Sequence, residues 1–378
     1  MTDMVYRIFC LSLFLLSLLA CQEEKRYYPK IVNSRNIQID SVKFERLELD
    51  LHEYESSYYG YSFINDSCIY YVDKYLCWLF AFTKDGSLLF RELGQGRGPR
   101  EVGCKRISGV ANCQNNEFLI LGYTLDHYFF KSTFDRSNAF LLENNIAGTI
   151  YEKSDTYTTF YPNLEIRNSG NSLYYNIYSE SDNFNFIDTP EKYYEKARTL
   201  MQVNKNNGKI ERVFCPYPSF YQSDIGLYNA FPSLNYAFDL TGNLYVAFEA
   251  DSTIYVYEKD KYPVGAFGYM GRDMNRNYIP IVNWNECSEI MYKERNTKGY
   301  FTSLFVSPVN QDVLRTYQKG EPLFEGGLQI YRKGILIGDV TTPCTLKISG
   351  YIPPYYYSDI IFDIENEKMY IYRFELAL

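Results

Sequence analysis

Histidine is nearly absent from this chain of 378 residues, which holds only His52 and His127, and tryptophan is as rare, at Trp78 and Trp284. A three-histidine metal site is therefore impossible, and a Ser-His-Asp or Cys-His arrangement has two residues to start from. His127 follows Asp126 in an expected hairpin and reads as a satisfied surface histidine. Nine cysteines are present, but no C-x-x-C and no Cys/His grouping of the kind that holds zinc. Basic charge is not in excess: 38 Lys and Arg stand against 46 Asp and Glu, a formal net charge of −8. That balance argues against nucleic acid as a partner, because phosphate binding needs a basic surface. No apolar run reaches the roughly 20 residues that a membrane-spanning helix needs. A G-x-x-x-x-G-K-[ST] loop is missing as well. In Gly94-Gln95-Gly96-Arg97-Gly98-Pro99 the third glycine of a dinucleotide fingerprint is replaced by Pro99, which has no N–H to offer a phosphate. The segment reads as a structural turn.

What is abundant is aromatic: 40 Tyr and 26 Phe, residues that fit strands better than helices. The clearest stretch is Ser233 to Gly268, four short strands (SLNYAFD, NLYVAFE, TIYVYE, PVGAFG) joined by turns rich in Asp, Gly and Ser. One meander cannot bury its own apolar face, and copies recur along the chain. The first runs GYSFIN, CIYYVD, WLFAFT, SLLFREL, the second covers about 107–144, and the third is lengthened by an expected short helix at 188–197. The fifth is FTSLFVS, DVLRTYQ, LQIYRK, ILIGDV, and the sixth has at most three strands before the chain stops. Last-hairpin turns of the five complete copies fall near residues 85, 136, 206, 260 and 333, in keeping with propeller blades of about 40–50 residues plus insertions.

These copies predict an all-β, six-bladed β-propeller of four-stranded antiparallel blades. The ring is closed by an orphan N-terminal strand at about 37–49 that supplies the missing outer strand of the last blade. A large β-sandwich is the rival fold. The polar stretch Met270 to Thr297 interrupts the pattern and reads as an inserted excursion with a helical turn near Glu286 to Lys293. Cys68 and Cys77 open two antiparallel neighbours, so they sit at opposite ends of the pair. At about 3.3 Å per residue they are too far apart for a disulfide.

The N-terminus reads as a targeting signal: Arg7, then an apolar run from Ile8 to Leu19. Its end, Leu18-Leu19-Ala20-Cys21, resembles the lipobox of bacterial lipoproteins, which implies cleavage before Cys21 and a diacylglycerol anchor on its sulfur. Gln22-Glu23-Glu24-Lys25 is similar to the export tag of surface lipoproteins in Bacteroidetes-type bacteria. The domain reading is thus a lipoprotein signal peptide at 1–20, a flexible tether at 21–36 and the propeller at 37–378.

Lipobox, six meanders and the G-x-G-x-G-P-x-E link after the first copy together resemble the six-bladed propeller lipoproteins of Bacteroidetes, relatives of TolB-like and NHL-like propellers. The chain departs from that group at Arg100, where its members usually have glycine. The resemblance implies a lipid-anchored envelope protein at the outer membrane, on the cell surface or the periplasmic face. It would act without a cofactor as a non-catalytic binding or scaffold protein for a protein, peptide or glycan partner, joined to the membrane through Cys21. The alternative is a metal-dependent hydrolase or lyase of the lactonase-like propeller type.

For that alternative, Asn235 and Asp239 lie on an expected innermost strand. Asp363, Glu365 and Glu367 alternate, which would put them on one strand face, with Asp359 nearby, but no EF-hand-like loop accompanies them. For binding, the candidates are Arg272, Arg276 and Trp284 in the insertion and the Tyr355-Tyr356-Tyr357 run, since recognition on a rigid ring concentrates in its loops.

Overall fold

The computed structural model describes residues 29–376 except 66, 114–115, 143–155, 160–163, 181–183, 225 and 259–261. The targeting segment at 1–20 and Cys21 lie outside the described residues.

The strands form six separate sheets, each built on an antiparallel meander, arranged as the blades of a ring. Blade 1 spans 60–93, blade 2 107–141, blade 3 166–216, blade 4 234–267, blade 5 300–342 and blade 6 348–374. The innermost strands are Gly60–Ile64, Ile107–Asn112, Ile166–Ser169, Leu234–Phe238, Tyr300–Val306 and Ile348–Ile352. Middle strands such as Phe118–Gly122 are buried throughout, because each blade is covered on both faces by its neighbours. Six apolar clusters fill the ring, one at each junction. The junction between blades 6 and 1 is among them: Tyr71, Phe80 and Phe82 pack there with Tyr357, Met369 and Ile371. A sandwich would have one core between two sheets; six junction cores make a closed propeller.

Closure differs in detail from the single strand expected at 37–49. The chain makes two strands there, β1 (Ser34–Ile39) and β2 (Phe44–Glu48), separated by Asp40-Ser41-Val42-Lys43. Only β2 completes the sixth blade, antiparallel to Lys368–Phe374, with Phe44 opposite Phe374 and Glu48 opposite Tyr370. β1 lies parallel along Ile335–Thr342, a fifth strand that covers the outer edge of blade 5. The tether expected to reach residue 36 therefore ends earlier, since Ser34–Asn36 already belong to β1 and Val32 N donates to Ala266 O (2.9 Å). Arg373 fastens the closure: its guanidinium reaches Glu45 on β2 (2.8 Å), and Asp85 (2.6 Å) and the Lys84 carbonyl (3.1 Å) of blade 1.

Smaller differences have local causes. The second strand of blade 6 breaks at Asp359 into Tyr355–Ser358 and Ile361–Asp363. Asp363, Glu365 and Glu367 do not share a strand face. They border a turn in which Glu367 has φ +51° and Asp363 accepts from Asn366. In the register of blade 1, Ile69 opposes Phe82 and Val72 opposes Leu79, which puts Cys68 and Cys77 at opposite ends of the pair.

Two α-helices occur among the described residues, besides a 3-10 turn at Ser219–Gln222. α1 (Pro190–Lys196) starts on proline as read from Thr189-Pro190. α2 (Trp284–Thr297) is longer than the expected helical turn. Asn283 caps it through a bond from Asn285 N, and Cys287, Ile290, Met291 and Glu294 recur along its inner side.

Candidate functional site: the loop face of the ring

In a four-stranded meander the turn from second to third strand and the link to the next blade leave from the same face. Among the described residues three long segments do so: 184–197 within blade 3, 217–233 between blades 3 and 4, and 268–299 between blades 4 and 5; the link from blade 2 to blade 3 leaves from the same face but lies mostly outside the described residues. They merge into one cap over blades 3 to 5, filled by Tyr193, Tyr194, Tyr217, Tyr221, Phe231 and Tyr278. Asn229, fully buried, ties all three together. Its amide accepts from Tyr194 OH (2.6 Å) and donates to the carbonyls of Ile281 (2.9 Å) and Phe186. Tyr217 OH donates to Pro232 O (2.8 Å) and Tyr221 OH to Phe231 O (2.7 Å), while burial raises the pKa of both phenols well above the usual value. Glu249, nearly inaccessible at the end of a blade 4 strand, receives both arms of Arg295 from α2 at 2.8 and 3.0 Å.

Arg272, Arg276 and Trp284, singled out from the sequence, fall within or beside this cap. Arg276 donates to Ala250 O (2.7 Å) and lies over the ring of Phe220, and its buried Nε has no partner among the described residues. Trp284 donates from Nε1 to Asp188 (2.6 Å) and meets Phe186 edge-on, joining the third segment to the first. Arg272 stays exposed beside Asp273 and Thr341. These contacts join the insertions to each other and to the ring; none of the three shares a partner with another. In the Tyr355–Tyr357 run, Tyr356 and Tyr357 are buried, with Tyr357 OH donating to Lys84 O (2.9 Å).

At the innermost strands, polar groups pair with one another. Arg167 of blade 3 bonds Glu165, Ser62 of blade 1 bonds Asp359 of blade 6, and Asn235 of blade 4 donates to Phe301 O (3.1 Å) on blade 5. Burial opposes the charge on Arg167. Glu165, then Tyr236 and, more weakly, Asp359 outweigh it and hold the guanidinium above its usual pKa. Asp239 does not join Asn235. It sits in the hairpin at the far end of the strand, where bonds from Thr241 and Asn243 outweigh burial and lower its pKa. Among the described residues no group of three or more His, Cys, Asp or Glu is placed to hold a metal ion. His127 is not at the surface: it is fully buried between blades 2 and 3, stacked on Phe140. Its Nδ1–H donates to Leu125 O (2.8 Å), so Nε2 accepts from Tyr175 OH (2.6 Å), and burial pushes its pKa down to about 4.

The glycine-rich link is a turn built around a carboxylate. Gly98 N donates to Glu101 Oε2 (2.6 Å), and a Cβ on Gly96 would fall 2.0 Å from the same oxygen. Glu101 thus occupies the place that a phosphate would need. Arg100 points outward to Asp135 (3.2 Å).

Over blades 1 and 2 the described connections on the same face are the turns at 74–77 and 123–125 and the link at 94–106. A backbone seam crosses it: Lys74 N donates to Tyr59 O (2.8 Å), Ile107 N to Lys74 O (2.9 Å) and Tyr123 N to Arg106 O (2.9 Å). Beneath it lies Asp73, fully buried. Its carboxylate accepts from Ser56 Oγ (2.9 Å), Ser57 N (2.6 Å), Ser57 Oγ (2.9 Å), Tyr75 N (2.9 Å) and Leu76 N (2.8 Å). On this support Tyr59, Tyr75 and Tyr123 stand 46, 44 and 53% exposed. Tyr59 and Tyr75 meet edge-on at 6.3 Å, and the Arg106 guanidinium lies 5.8 Å from the Tyr75 ring and 5.1 Å from that of Tyr123. Lys74 Nζ is 5.8 Å from the Tyr75 ring, and burial together with the neighbouring Arg106 charge lowers its pKa. Sequence reasoning did not single out this rim.

The fold and this geometry define a six-bladed propeller whose loop face is capped over blades 3 to 5 and, among the described residues, open over blades 1 and 2. Solved structures with the same architecture include a member of the DUF4221 family from Bacteroides vulgatus, at 12% identity, 89% coverage of this chain, 98% of that one and a TM-score of 0.63. A Bacteroides fragilis protein described as exported aligns at 13% identity over 92% of this chain and all of its own, with a TM-score of 0.53. At these identities the likeness is one of fold. No family model matches the chain, and no curated protein matches it in sequence.

Proposed function

We propose that this chain is a lipid-anchored envelope protein that binds a partner, without catalysis, on the loop face of its propeller. The observation that carries the reading is the open rim of Tyr59, Tyr75 and Tyr123 with Lys74 and Arg106. It is a recognition surface on rigid scaffold, next to a cap that Asn229, Glu249 and Arg295 hold together. The partner is an envelope protein, peptide or glycan. Anchoring rests on Leu18-Leu19-Ala20-Cys21, and the exported protein with the same fold supports passage out of the cytoplasm. Membrane fractionation with mass analysis of the N-terminus tests it. The full-length protein should lie in the membrane fraction with an acylated Cys21 as its first residue, and Cys21→Ala should abolish acylation. A native protein that retains Met1 and fractionates with cytosol would overturn the reading.

A further inference from the structure

We infer that the open rim over blades 1 and 2 binds an anionic saccharide chain, one whose sugars carry carboxylate or sulfate groups; this rests on the reading of the rim as the binding surface.

The rings come first. Tyr59, Tyr75 and Tyr123 arise from three separate segments, yet the seam of backbone hydrogen bonds places them in one row. Their exposed faces suit the C–H faces of pyranose rings, and their hydroxyls can take hydrogen bonds from the same sugar. A peptide would need pockets for alternate side chains or a free strand edge. The large exposed apolar groups on these connections are all tyrosines, Tyr54 included, and no aliphatic side chain stands among them.

Charge comes second. Lys74 and Arg106 form no ion pair with a carboxylate among the described residues. By contrast, Arg295 pairs with Glu249 and Arg373 with Glu45. Two cations that repel each other beside exposed rings are a place for an anion, which would relieve that repulsion. The chain as a whole is acidic, so a polyanion is repelled in general and admitted where this local charge stands.

Preorganisation comes third. Asp73 fixes both the 56–59 loop and the turn at 74–76, so little ordering remains for the ligand to impose.

The test is titration calorimetry of the full-length protein in detergent, at low and high salt, against four probes: polygalacturonate, chondroitin sulfate, a neutral mannan and poly-glutamate. The expected result is salt-sensitive binding of polygalacturonate, chondroitin sulfate or both, the two arms separating carboxylate from sulfate. Tyr75→Ala and Arg106→Glu should each weaken it by about tenfold or more at an unchanged melting midpoint. Arg272→Ala, in the other half of the face, should leave it unchanged. Binding of mannan or poly-glutamate in place of the anionic chains, lost in the same two variants, overturns the ligand class while the rim stands as a binding surface. If no probe binds in a way that Tyr75→Ala or Arg106→Glu reduces, both the inference and the reading of the rim are overturned.

Discussion

The two halves of the loop face use the same residue type in opposite ways. Over blades 3 to 5, Tyr217 and Tyr221, which fill the cap, are buried, their hydroxyls are hydrogen-bonded to backbone and burial raises their phenol pKa values, while Tyr292 on α2 stands exposed on the outside of the cap. Over blades 1 and 2, tyrosines stand on short turns with their rings in solvent and cations beside them. The capped half has the long insertions, which on a propeller attract attention as candidate binding loops. Yet Asn229, Trp284, Arg276 and Arg295 are engaged in joining those insertions to the ring. Among the described residues the open half carries two tight turns, at 74–77 and 123–125, and the link at 94–106. Length of loop and availability for recognition part company here, because a long segment must satisfy its own backbone and bury its own apolar groups before it can offer anything to a ligand.

The sharpest way to break the comparison is at the cap. Glu249→Ala leaves the largely buried Arg295 without its counter-ion, and denaturant unfolding should show a loss of about 3 kcal/mol or more. A loss below about 1 kcal/mol would mean that the cap is loosely held and nearer in character to the rim.

A second effect lies at the border between the halves, at His127. Its folded pKa is depressed from 6.5 to about 4, so the neutral form is favoured in the fold. The corresponding stability is fully present above pH 6.5 and is lost as pH falls from 6.5 through 4, where the unfolded chain takes up a proton that the fold resists. The loss should approach about 3 kcal/mol. His127→Gln should flatten that part of the stability-against-pH curve; an equally steep fall in the variant would contradict the buried neutral imidazole.

The smallest effect belongs to the open half. Tyr123→Ser, at an exposed ring, should change stability by no more than about 0.5 kcal/mol in the same unfolding assay. A larger change would show that the rim, too, is structural.

Much of the ring is legible in the amino-acid sequence. The repeated meanders define six blades because each ends in a turn with its own chemistry, such as Asp85-Gly86, where Gly86 takes φ +87°. The missing outer strand of blade 6 points to the N-terminus for the same reason. What the sequence does not tell is that this N-terminal stretch divides at Asp40–Lys43 and serves two blades, since apolar alternation continues on either side. α2 carries a readable start, Asn283 followed by Glu286 three residues on, within a stretch whose overall polarity hides it. His127 reads as exposed because its hairpin alone shows no cover; Tyr175, its partner, is 48 residues away. The rim is illegible for the same reason. Lys74-Tyr75 is a single cation–aromatic step in a turn; strand pairing within blade 1 brings it beside Tyr59, and the packing of blade 2 against blade 1 brings it beside Arg106 and Tyr123. Local pattern finds blades, while sites shared by two blades appear once the ring is assembled.

The division of this face is tested most directly by hydrogen–deuterium exchange of the full-length protein with and without polygalacturonate or chondroitin sulfate. Slowed exchange is expected at 56–59, 74–76, 104–107 and 123–125, with 270–297 unchanged. Protection confined to 270–297 would contradict the division and return recognition to the cap.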